Sequence, residues 1–339
     1  MKNAHRSKPV ILVIGSANID LTITTPRLPR PGETVGGGKF TTTAGGKGAN
    51  QAVAAARAGG LVRFVARVGT DAFGRQSLDS LAGAGVNIRA VFQTPRDPTG
   101  VALIVVGENG ENSIAVAPGA NDALTPNDVR KSAPAFEGAD ALLLQMEVPP
   151  ATVEFAARTA AARGIPVILN PAPADRVTGV LLRHVSILTP NESEAAALTN
   201  LPIDSLETAG QAAARLAARG PKSVIITLGA RGALVWSEGQ STHIPGHNVK
   251  PVDTTAAGDI FNGALAVGLA EGLPLTEAVR FANAAAAISV TRRGAQSSAP
   301  TRREIERFLR RNRSVAGSRP SAPCKKRTPP NVAKTPAYL

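Results

Sequence analysis

Short, uninterrupted apolar runs recur along the chain, and they constrain its fold more than any other feature. Runs of this kind indicate parallel strands that are buried on both faces of a sheet. They occupy residues 10–15, 62–68, 141–146, 167–170, 185–188 and 224–227. Stretches with helical periodicity lie between and after them, at residues 51–58, 73–84, 152–163, 195–199, 260–269 and 278–290. The alternation predicts a doubly wound α/β domain, with three α/β/α layers and a mainly parallel central sheet.

Two blocks depart from this alternation, residues 21–43 and 98–117, which are rich in Thr, Val, Ile and Gly. Neither block has a convincing helical pattern. In the second block, Glu108-Asn-Gly-Glu111 has the composition of a hairpin turn between strands at 101–106 and 113–117. We therefore predict a small β-sheet, built from both blocks and separate from the main sheet.

Most of the excess charge belongs to one end of the chain. The 339 residues have a formal net charge of +13, and seven of the basic residues lie in the acid-free segment 311–339. Because this segment is rich in Pro, Ser, Lys and Arg, we predict a disordered basic tail there. A globular domain at 10–310 and a flexible extension at 1–9 complete the predicted organisation. A tail that contacts nucleic acid or a membrane surface is the alternative to a merely solvated one.

Composition also argues against several classes of protein. Aromatic residues make up only 3% of the chain, which disfavours a surface that stacks single-stranded bases. No apolar run is long enough to span a membrane, and the short apolar segment after the first basic residues does not fit a signal peptide. Cys324 is the only cysteine, so no intrachain disulfide is possible. Together these features predict a cytoplasmic protein.

The segment Asp253–Ala264 places small residues, a carboxylate and a helical run in an order that suits phosphoryl transfer. Ala256, Ala257 and Gly258 allow a ligand close to their backbone, and free N–H groups at the start of the following helix would attract an anion. A carboxylate repels phosphate, so Asp259 beside such a site suggests a base that accepts a proton from an attacking hydroxyl. An acid in the first turn of a helix is also common for reasons of the dipole alone. The small residues before Asp259 favour the catalytic interpretation.

Three further segments match sequence signatures of a known protein family. Ala44–Ala52 reads AGGKGANQA and is followed by Gly59 and Gly69; Thr189–Glu194 reads TPNESE, and Thr227–Gly232 reads TLGARG. With the segment at 253–264, they resemble the signatures of the ribokinase-like (PfkB) sugar kinases, in the order found in that family. The resemblance covers roughly residues 10–309. The glycine-rich segment is not a Walker A loop, since the Gly-x-x-x-x-Gly-Lys-Ser/Thr spacing is absent.

The resemblance implies an ATP-dependent kinase that phosphorylates D-ribose at O5. It assigns the base to Asp259, the anion hole to the amides of residues 256–258, and the role of a sugar-covering, dimer-forming lid to the blocks at 21–43 and 98–117. Besides Asp259, the positions that match sugar-binding residues of the family are Asn18, Asp20, Gly46, Lys47, Asn50 and Glu147. From the residues alone, Asn18 and Asp20 would point the same way in an extended segment, which suits adjacent hydroxyls but also an Asx turn. Asn18 favours ribose, because the related deoxyribokinases tend to lose this Asn.

The same resemblance implies sites for the nucleotide and for two cations. The positions that match ATP-binding residues are Asn191, Thr227, Leu228, Gly229, Ala230, Arg231, Gly232, Gly258 and Asn283. Glu194 is implied to order Mg²⁺ through water, as suits an ion that keeps much of its hydration. An activating K⁺ is implied to lie among main-chain carbonyls and one carboxylate at Asp253, Thr255, Ser289, Arg292, Gly294 and Ser298. Taken alone, the acids after the strand at 185–188 are better explained by helix capping.

Other functions remain open on the sequence. The acceptor sugar could instead be deoxyribose, another pentose or a nucleoside. A non-catalytic sugar sensor whose tail contacts DNA is a second class, although no helix-turn-helix or zinc-finger pattern is present. A Rossmann dehydrogenase is disfavoured, because no Gly-x-Gly-x-x-Gly follows the first strand.

Overall fold

The first apolar run forms strand β1 (Val10–Ile14), an inner strand of a nine-stranded sheet. Its side chains alternate between the two faces of that sheet. Ile11 and Val13 belong to the core on one side, and Leu12 and Ile14 to the core on the other. All four are 0% exposed. Because burying one such side chain contributes about 1.5–3 kcal/mol, neither face of β1 tolerates a polar residue, and the strand reads as a continuous apolar run.

The structure is a computed structural model that describes residues 8–316, with side chains as far as Asn312. After β1, the strands are β2 (Asn18–Thr25), β3 (Lys39–Gly45), β4 (Leu61–Gly69), β5 (Asn87–Thr94), β6 (Gly100–Gly107), β7 (Asn112–Ala117), β8 (Ala141–Leu144), β9 (Val167–Leu169), β10 (Ile187–Leu188), β11 (Ser223–Thr227), β12 (Ala233–Ser237) and β13 (Gln240–Ile244). The helices are α1 (Lys47–Arg57), α2 (Ala72–Gly83), α3 (Pro126–Lys131), α4 (Pro150–Ala161), α5 (Gly179–Leu182), α6 (Glu192–Thr199), α7 (Leu206–Ala217), α8 (Ala257–Ala270), α9 (Leu275–Ser289) and α10 (Arg302–Ala316).

The large sheet has the strand order β13-β12-β11-β10-β9-β8-β1-β4-β5. Its strands are parallel except β12, which is antiparallel to both β11 and β13. Helices α1, α2 and α8–α10 cover one face, and α3–α7 cover the other. The predicted doubly wound α/β/α architecture is therefore confirmed. The strand order reverses between β1 and β8, so the carboxyl ends of these two strands border the crevice in which such sheets bind ligands.

A separate four-stranded sheet has the order β3-β2-β6-β7, as the two atypical blocks predict. Strands β2 and β6 are parallel, and each also pairs with an antiparallel partner at the edge of the sheet. Only residues 15–17 separate β1 from β2. Asn18 and Asp20 therefore lie in a strand of the small sheet, directly beside the carboxyl end of β1, and not in an Asx turn.

The helices that contain candidate site residues in their first turn begin earlier than their apolar patterns predict. Helix α1 begins at Lys47, α6 at Glu192 and α8 at Ala257, which is three or four residues before the first residue of each predicted run. Apolar periodicity identifies the part of a helix that packs on the core, and it misses a first turn made of polar or very small residues. In these helices that first turn contains the candidate site residues Lys47, Glu194 and Asp259.

The prediction of a disordered segment from Arg311 onward is wrong for residues 311–316, which continue helix α10. Residues 302–316 contain neither Pro nor Gly and are rich in Arg and Glu, which are good helix formers. Ile305 is buried in the core and anchors the helix. The rest of the predicted tail, including Cys324, and residues 1–7 of the predicted N-terminal extension lie outside the described residues. Among residues 8–316, no helix combines the length and the apolar character needed to cross a bilayer.

Candidate active site

The glycine-rich loop packs against the junction of β1 and β2. Gly46 precedes α1 with φ at 86°, a left-handed conformation that favours glycine. A Cβ on Gly46 would lie 2.7 Å from the backbone nitrogen of Asn18, and one on Gly45 would lie 2.2 Å from Oδ2 of Asp20. Glycines here therefore bring the first turn of α1 against two of the predicted sugar-binding residues.

Glu147 joins the end of β8 to the start of α1. Its Oε2 accepts a hydrogen bond from the Ser16 hydroxyl at 2.6 Å and another from the backbone N–H of Lys47 at 3.0 Å. The first N–H groups of a helix have no partner within the helix, so this carboxylate satisfies one of them and also interacts favourably with the dipole. Glu147 is thereby held at the crevice where the strand order reverses.

Asn18 is buried, with 5% of its surface exposed. Its side-chain oxygen Oδ1 accepts a hydrogen bond from Asn121 Nδ2 at 2.6 Å. Asn121 is itself fixed, because its Oδ1 accepts from the backbone N–H of Ala17 at 2.9 Å. Within the described residues the side-chain nitrogen of Asn18 has no protein acceptor. Asn18 is therefore left with N–H groups to donate.

Asp259 lies in the first turn of α8 and is 6% exposed. Its carboxylate accepts hydrogen bonds from Asn50 Nδ2 and Gln51 Nε2, both at 3.0 Å. These contacts require α8 to approach α1 closely. Gly263 permits the approach, since a Cβ there would lie 2.5 Å from the Cβ of Ala54. A residue more than 200 positions away in sequence thus reaches the glycine-rich signature.

The backbone before Asp259 forms only part of the predicted anion hole. Ala256 caps α8 in the left-handed conformation, with φ at 59°. The N–H of Ala257 donates to the carbonyl oxygen of Thr254 at 3.2 Å, so this amide differs from the prediction and is not free. The N–H groups of Gly258 and Asp259 have no protein acceptor among the described residues. These two first-turn amides are available to an anion.

The environment of Asp259 acts on its charge in two opposing ways. Burial raises the pKa of the carboxyl, because the charged form loses its hydration. The Lys47 ammonium and the hydrogen bonds from Gln51 and Asn50 oppose that rise. A buried carboxylate with a nearby cation and two amide donors is a suitable general base.

Acidic side chains surround Lys47. Burial disfavours its ammonium form, but Asp259, Glu147, Glu194 and Asp20 together raise its pKa, so the cation is retained. Burial, followed by repulsion from Glu147 and Asp259, raises the pKa of Asp20 to about 6. The cluster therefore contains one half-buried cation among several carboxylates, which suits a ligand with many hydroxyl groups.

Most of the predicted nucleotide residues lie on two adjacent turns, after β10 and after β11. Asn191 caps α6: its Oδ1 accepts from the N–H of Glu194 at 2.8 Å, and the Glu194 carboxylate accepts from the N–H of Asn191 at 2.9 Å. The other acid, Glu192, forms an exposed ion pair with Arg231 on the neighbouring turn. A β-bridge between Asn191 and Thr227 joins the two turns. Asn191 and Glu194 therefore cap α6 and also lie beside the second turn of the predicted nucleotide site.

The turn after β11 presents backbone to its surroundings. Gly229 and Gly232 have φ values of 56° and 94°. The side chain of Leu228 is 2% exposed and belongs to the core, whereas Ala230 is exposed. Any contact of Leu228 with a nucleotide would therefore use its main chain.

Asn283 lies on α9 and is 7% exposed. Its Nδ2 is 3.4 Å from the carbonyl oxygens of Ile244 and Pro245, at the end of β13. These are long hydrogen bonds to the backbone. The predicted contact between Asn283 and adenine stays a prediction.

Asp253 joins the two loops of the predicted cation site. Its carboxylate accepts from the N–H of Thr255 at 2.9 Å and from the N–H of Gly294 at 2.8 Å. Burial raises the pKa of Asp253, but these hydrogen bonds outweigh the effect and lower it. The N–H groups of Val252 and Asp253 in turn donate to the carbonyl oxygen of Val290.

The remaining side chains of that predicted site are engaged elsewhere. The hydroxyls of Ser289 and Ser298 donate to main-chain carbonyls three residues before them, both at 2.8 Å. The Arg292 guanidinium donates to Glu304 at 2.6 Å. Main-chain oxygens of these residues are therefore the most direct ligands for a cation. Within the described part of the chain, no group of three or more His, Cys, Asp or Glu side chains is placed to bind a metal.

Sequence reasoning missed several polar residues around Asp259. Gln145 and Asn170 follow β8 and β9, and Gln51 and Asn262 lie on α1 and α8; all four are buried. The first two could have been found, because polar residues that follow buried parallel strands lie at the ligand-binding edge of the sheet. No sequence signal distinguishes Asn262 from an ordinary helix residue.

Known proteins share this sequence and this arrangement. The sequence profile described as pfkB family carbohydrate kinase matches residues 8–302. A ribokinase from Haemophilus influenzae is 44% identical over 302 residues, which cover 89% of this chain and 99% of the relative. A deoxyribokinase from Salmonella typhi is 37% identical over 303 residues, which cover 89% of this chain and 99% of the relative.

The fold agrees with these matches. The structure of Arabidopsis thaliana ribokinase complexed with ribose and ATP superimposes with a TM-score of 0.80 at 34% identity, covering 90% of this chain and 99% of that one. Profile, sequence relatives and fold thus point to one group, and the chain belongs to the PfkB family of carbohydrate kinases.

Proposed function

We propose that this chain is a ribokinase, which transfers the γ-phosphoryl group of ATP to O5 of D-ribose and produces D-ribose 5-phosphate and ADP. The single observation that supports it most strongly is the buried Asp259 carboxylate. It lies beside two free first-turn amides and is hydrogen-bonded to the signature residue Asn50. The similarity to the ribokinases of Haemophilus influenzae and Arabidopsis thaliana supports the choice of sugar.

In the proposed reaction, Asn18, Asp20, Gly46, Lys47, Asn50 and Glu147 orient the sugar. Asp259 accepts the proton of the O5 hydroxyl as the bond from O5 to the γ-phosphorus forms and the bond from that phosphorus to the ADP oxygen breaks. The amides of Gly258 and Asp259 stabilise the charge on the transferring group. The side-chain oxygen of Asn50 is buried without a protein partner, so it has an acceptor position left for a sugar hydroxyl.

The residues present suit the two implied cations in different ways. The Glu194 carboxylate accepts two hydrogen bonds from Asn191 and keeps further lone pairs, which suits contact with Mg²⁺ through water. Mg²⁺ bound with ATP would neutralise charge on the phosphate oxygens. For K⁺, the Asp253 carboxylate links the loops at 253–255 and 289–298, and main-chain oxygens are the ligands that remain. The cytoplasm stays the predicted compartment, because the reaction consumes ATP and the chain has a single cysteine.

The small sheet also favours a homodimer. Ile23, Phe40 and Leu103 are 41%, 61% and 55% exposed. The pairing of Ile23 with Phe40, and of Leu21 with Leu103, places them on one face of the sheet, opposite the face of Asp20. A contiguous apolar face of this kind indicates a protein interface, and we propose that a second copy of the chain covers it. Phe40→Asp should halve the mass measured by light scattering, and Thr41→Asp, on the opposite face, should leave it unchanged.

The assay that tests the proposed function is ribose-dependent formation of ADP with Mg²⁺, in potassium buffer and in sodium-only buffer. We expect ADP release to require ribose and to be faster with K⁺. A panel that includes 2-deoxyribose, other pentoses and nucleosides tests the acceptor, for which Asn18 favours ribose. No sugar-dependent release of ADP would contradict the kinase. Equal rates in the two buffers would remove only the K⁺ site.

A further inference from the structure

A ring of buried hydrogen bonds connects the Asp259 carboxylate to the main-chain carbonyl of the preceding residue, Gly258. Four polar side chains form the ring, and none is more than 7% exposed: Gln51, Asn170, Thr189 and Asn262. They come from α1, the ends of β9 and β10, and α8. Of these four residues, none has a sugar- or nucleotide-binding role in the proposed reaction.

The links of the ring follow one another without a gap. Gln51 Nε2 donates to Asp259 Oδ1 at 3.0 Å and to Asn170 Oδ1 at 3.1 Å. Asn170 Nδ2 donates to the carbonyl oxygen of Thr189 at 3.3 Å. The Thr189 hydroxyl donates to Asn262 Oδ1 at 2.6 Å. Asn262 Nδ2 donates to the carbonyl oxygen of Gly258 at 2.8 Å. Because residues 258 and 259 are adjacent, the ring holds the start of α8 at two points.

A further residue determines which way the Gln51 amide faces. Gln145, which is 0% exposed, donates from Nε2 to Gln51 Oε1 at 2.6 Å. A Gln amide is nearly symmetric in shape but has donors at one end only. If the Gln51 amide turned over, its oxygen would face the oxygens of Asp259 and Asn170 in a buried site, where unpaired polar atoms are costly. The two acceptors at one end of the Gln51 amide and the Gln145 donor at the other together specify the orientation in which Gln51 donates to Asp259.

We infer that Gln51 is a positioning residue, which holds the Asp259 carboxylate in the orientation needed to take the hydroxyl proton, and that the ring through Asn170, Thr189 and Asn262 fixes Gln51 and the adjacent anion hole together. This inference rests on the proposed kinase function. Asn50 holds the other carboxylate oxygen and retains a free acceptor, which suits contact with the sugar. Gln51 makes no such contact and acts through Asp259.

The test uses two nearly isosteric replacements in the full-length chain. Gln51→Met removes both donors at similar volume. Thr189→Val removes the hydroxyl that donates to Asn262 and keeps the main-chain carbonyl that accepts from Asn170. We expect Gln51→Met to lower kcat by about 10- to 100-fold, with KM for ribose within about threefold, because a small displacement of a reacting group costs up to about 100-fold. The acidic limb of its pH–kcat profile should move up by about one pH unit, since a donor to the carboxylate is lost. Thr189→Val should lower kcat by about 3- to 10-fold.

Gln211→Met, on the exposed surface of α7, is the matched control and should behave as the wild type. Thermal unfolding measures whether each variant is folded. A folded Gln51→Met protein with wild-type kcat and an unmoved pH profile would overturn the inference. If Gln51→Met does not fold, wild-type kcat in folded Thr189→Val would overturn it instead.

A second readout separates this inference from the proposed function. The titration of the Asp259 carboxyl can be followed by ¹³C NMR in the protein without substrate. An upward shift in Gln51→Met, relative to the wild type and to Gln211→Met, supports the positioning role even if ribose is not the substrate. Absence of ribose-dependent turnover in the wild type would overturn the proposed function, and an unshifted titration would overturn the positioning role.

Discussion

The sugar side and the nucleotide side of the candidate site are built differently. On the sugar side, Asp259 and Asn18 are 6% and 5% exposed, and their partners come from elements far away in sequence. On the nucleotide side, Asn191 and Glu194 bond to each other within four residues of chain. The first group is held by tertiary packing, and the second by a local helix cap.

This difference indicates which side of the candidate site must be rigid before the substrate binds. Proton transfer requires the carboxylate within hydrogen-bond distance of one hydroxyl, and a buried network sets that geometry in advance. A nucleotide offers several phosphate oxygens, so backbone turns at helix starts can bind it with less exact placement. Substitutions on the sugar side should therefore change catalysis strongly, and those on the nucleotide side should have smaller effects.

The largest expected effect is that of Asp259→Asn. The replacement keeps the shape but cannot accept the O5 proton, so kcat should fall by at least about 1000-fold, within the range that general bases contribute. Binding of ribose, measured by calorimetry, should persist. Asp79→Asn, on the exposed side of α2, is the control. Turnover near the wild-type value in Asp259→Asn would show that another group is the base.

The second prediction concerns pH and Asp20, whose pKa burial and repulsion from Glu147 and Asp259 raise to about 6. Sugar hydroxyls donate better to its ionised form, so KM for ribose should rise about tenfold per pH unit below pH 6. In the folding equilibrium, the stabilising contribution of this group is full below its ordinary pKa of 3.8 and is lost as the pH rises through about 6. Asp20→Asn should flatten the pH dependence of KM. An unchanged slope in that variant would assign the titration to another group.

A smaller effect is expected from Asn191→Ala, which removes the cap of α6. The free energy of unfolding, measured in urea, should fall by about 1 kcal/mol. KM for ATP should rise by about three- to tenfold while KM for ribose stays constant, since the cap orders the Glu194 turn. Ser205→Ala removes an equivalent cap from α7, away from the site, and should cost similar stability without changing KM for ATP. Equal kinetic effects of the two variants would contradict the local role of Asn191.

The smallest effect is expected from Arg231→Ala. Its ion pair with Glu192 is largely exposed, with 45% and 39% of the two side chains accessible. Such pairs contribute about 0–1 kcal/mol, so stability should change little and KM for ATP should stay within about threefold. A loss of ATP affinity beyond about tenfold would show that the guanidinium contacts the phosphates directly, and the contrast between the two sides of the site would then weaken.

The sequence predicts the inner strands of the large sheet well because they are buried on both faces. Runs such as residues 10–15 have no polar alternative, and the two Thr-rich blocks depart from the helical pattern clearly enough to predict a second sheet. Predicted helix starts are less accurate at α1, α6 and α8, where the first turns pack little apolar surface. The tail prediction is wrong at residues 311–316 for a related reason, since helix propensity and a buried Ile305 extend α10.

The sequence by itself determined where strands end and where helices start to within a few residues, because local backbone requirements and apolar burial select the residue types found there. It therefore also pointed to Asp259, Lys47 and the glycines. Only the tertiary structure decided that Asn50 and Gln51 meet Asp259, that Ala257 has no free amide, and that Gln145 orients Gln51. These contacts depend on the order of strands in the sheet and on the close approach of two helices at Gly263, and neither is encoded in any short stretch of chain.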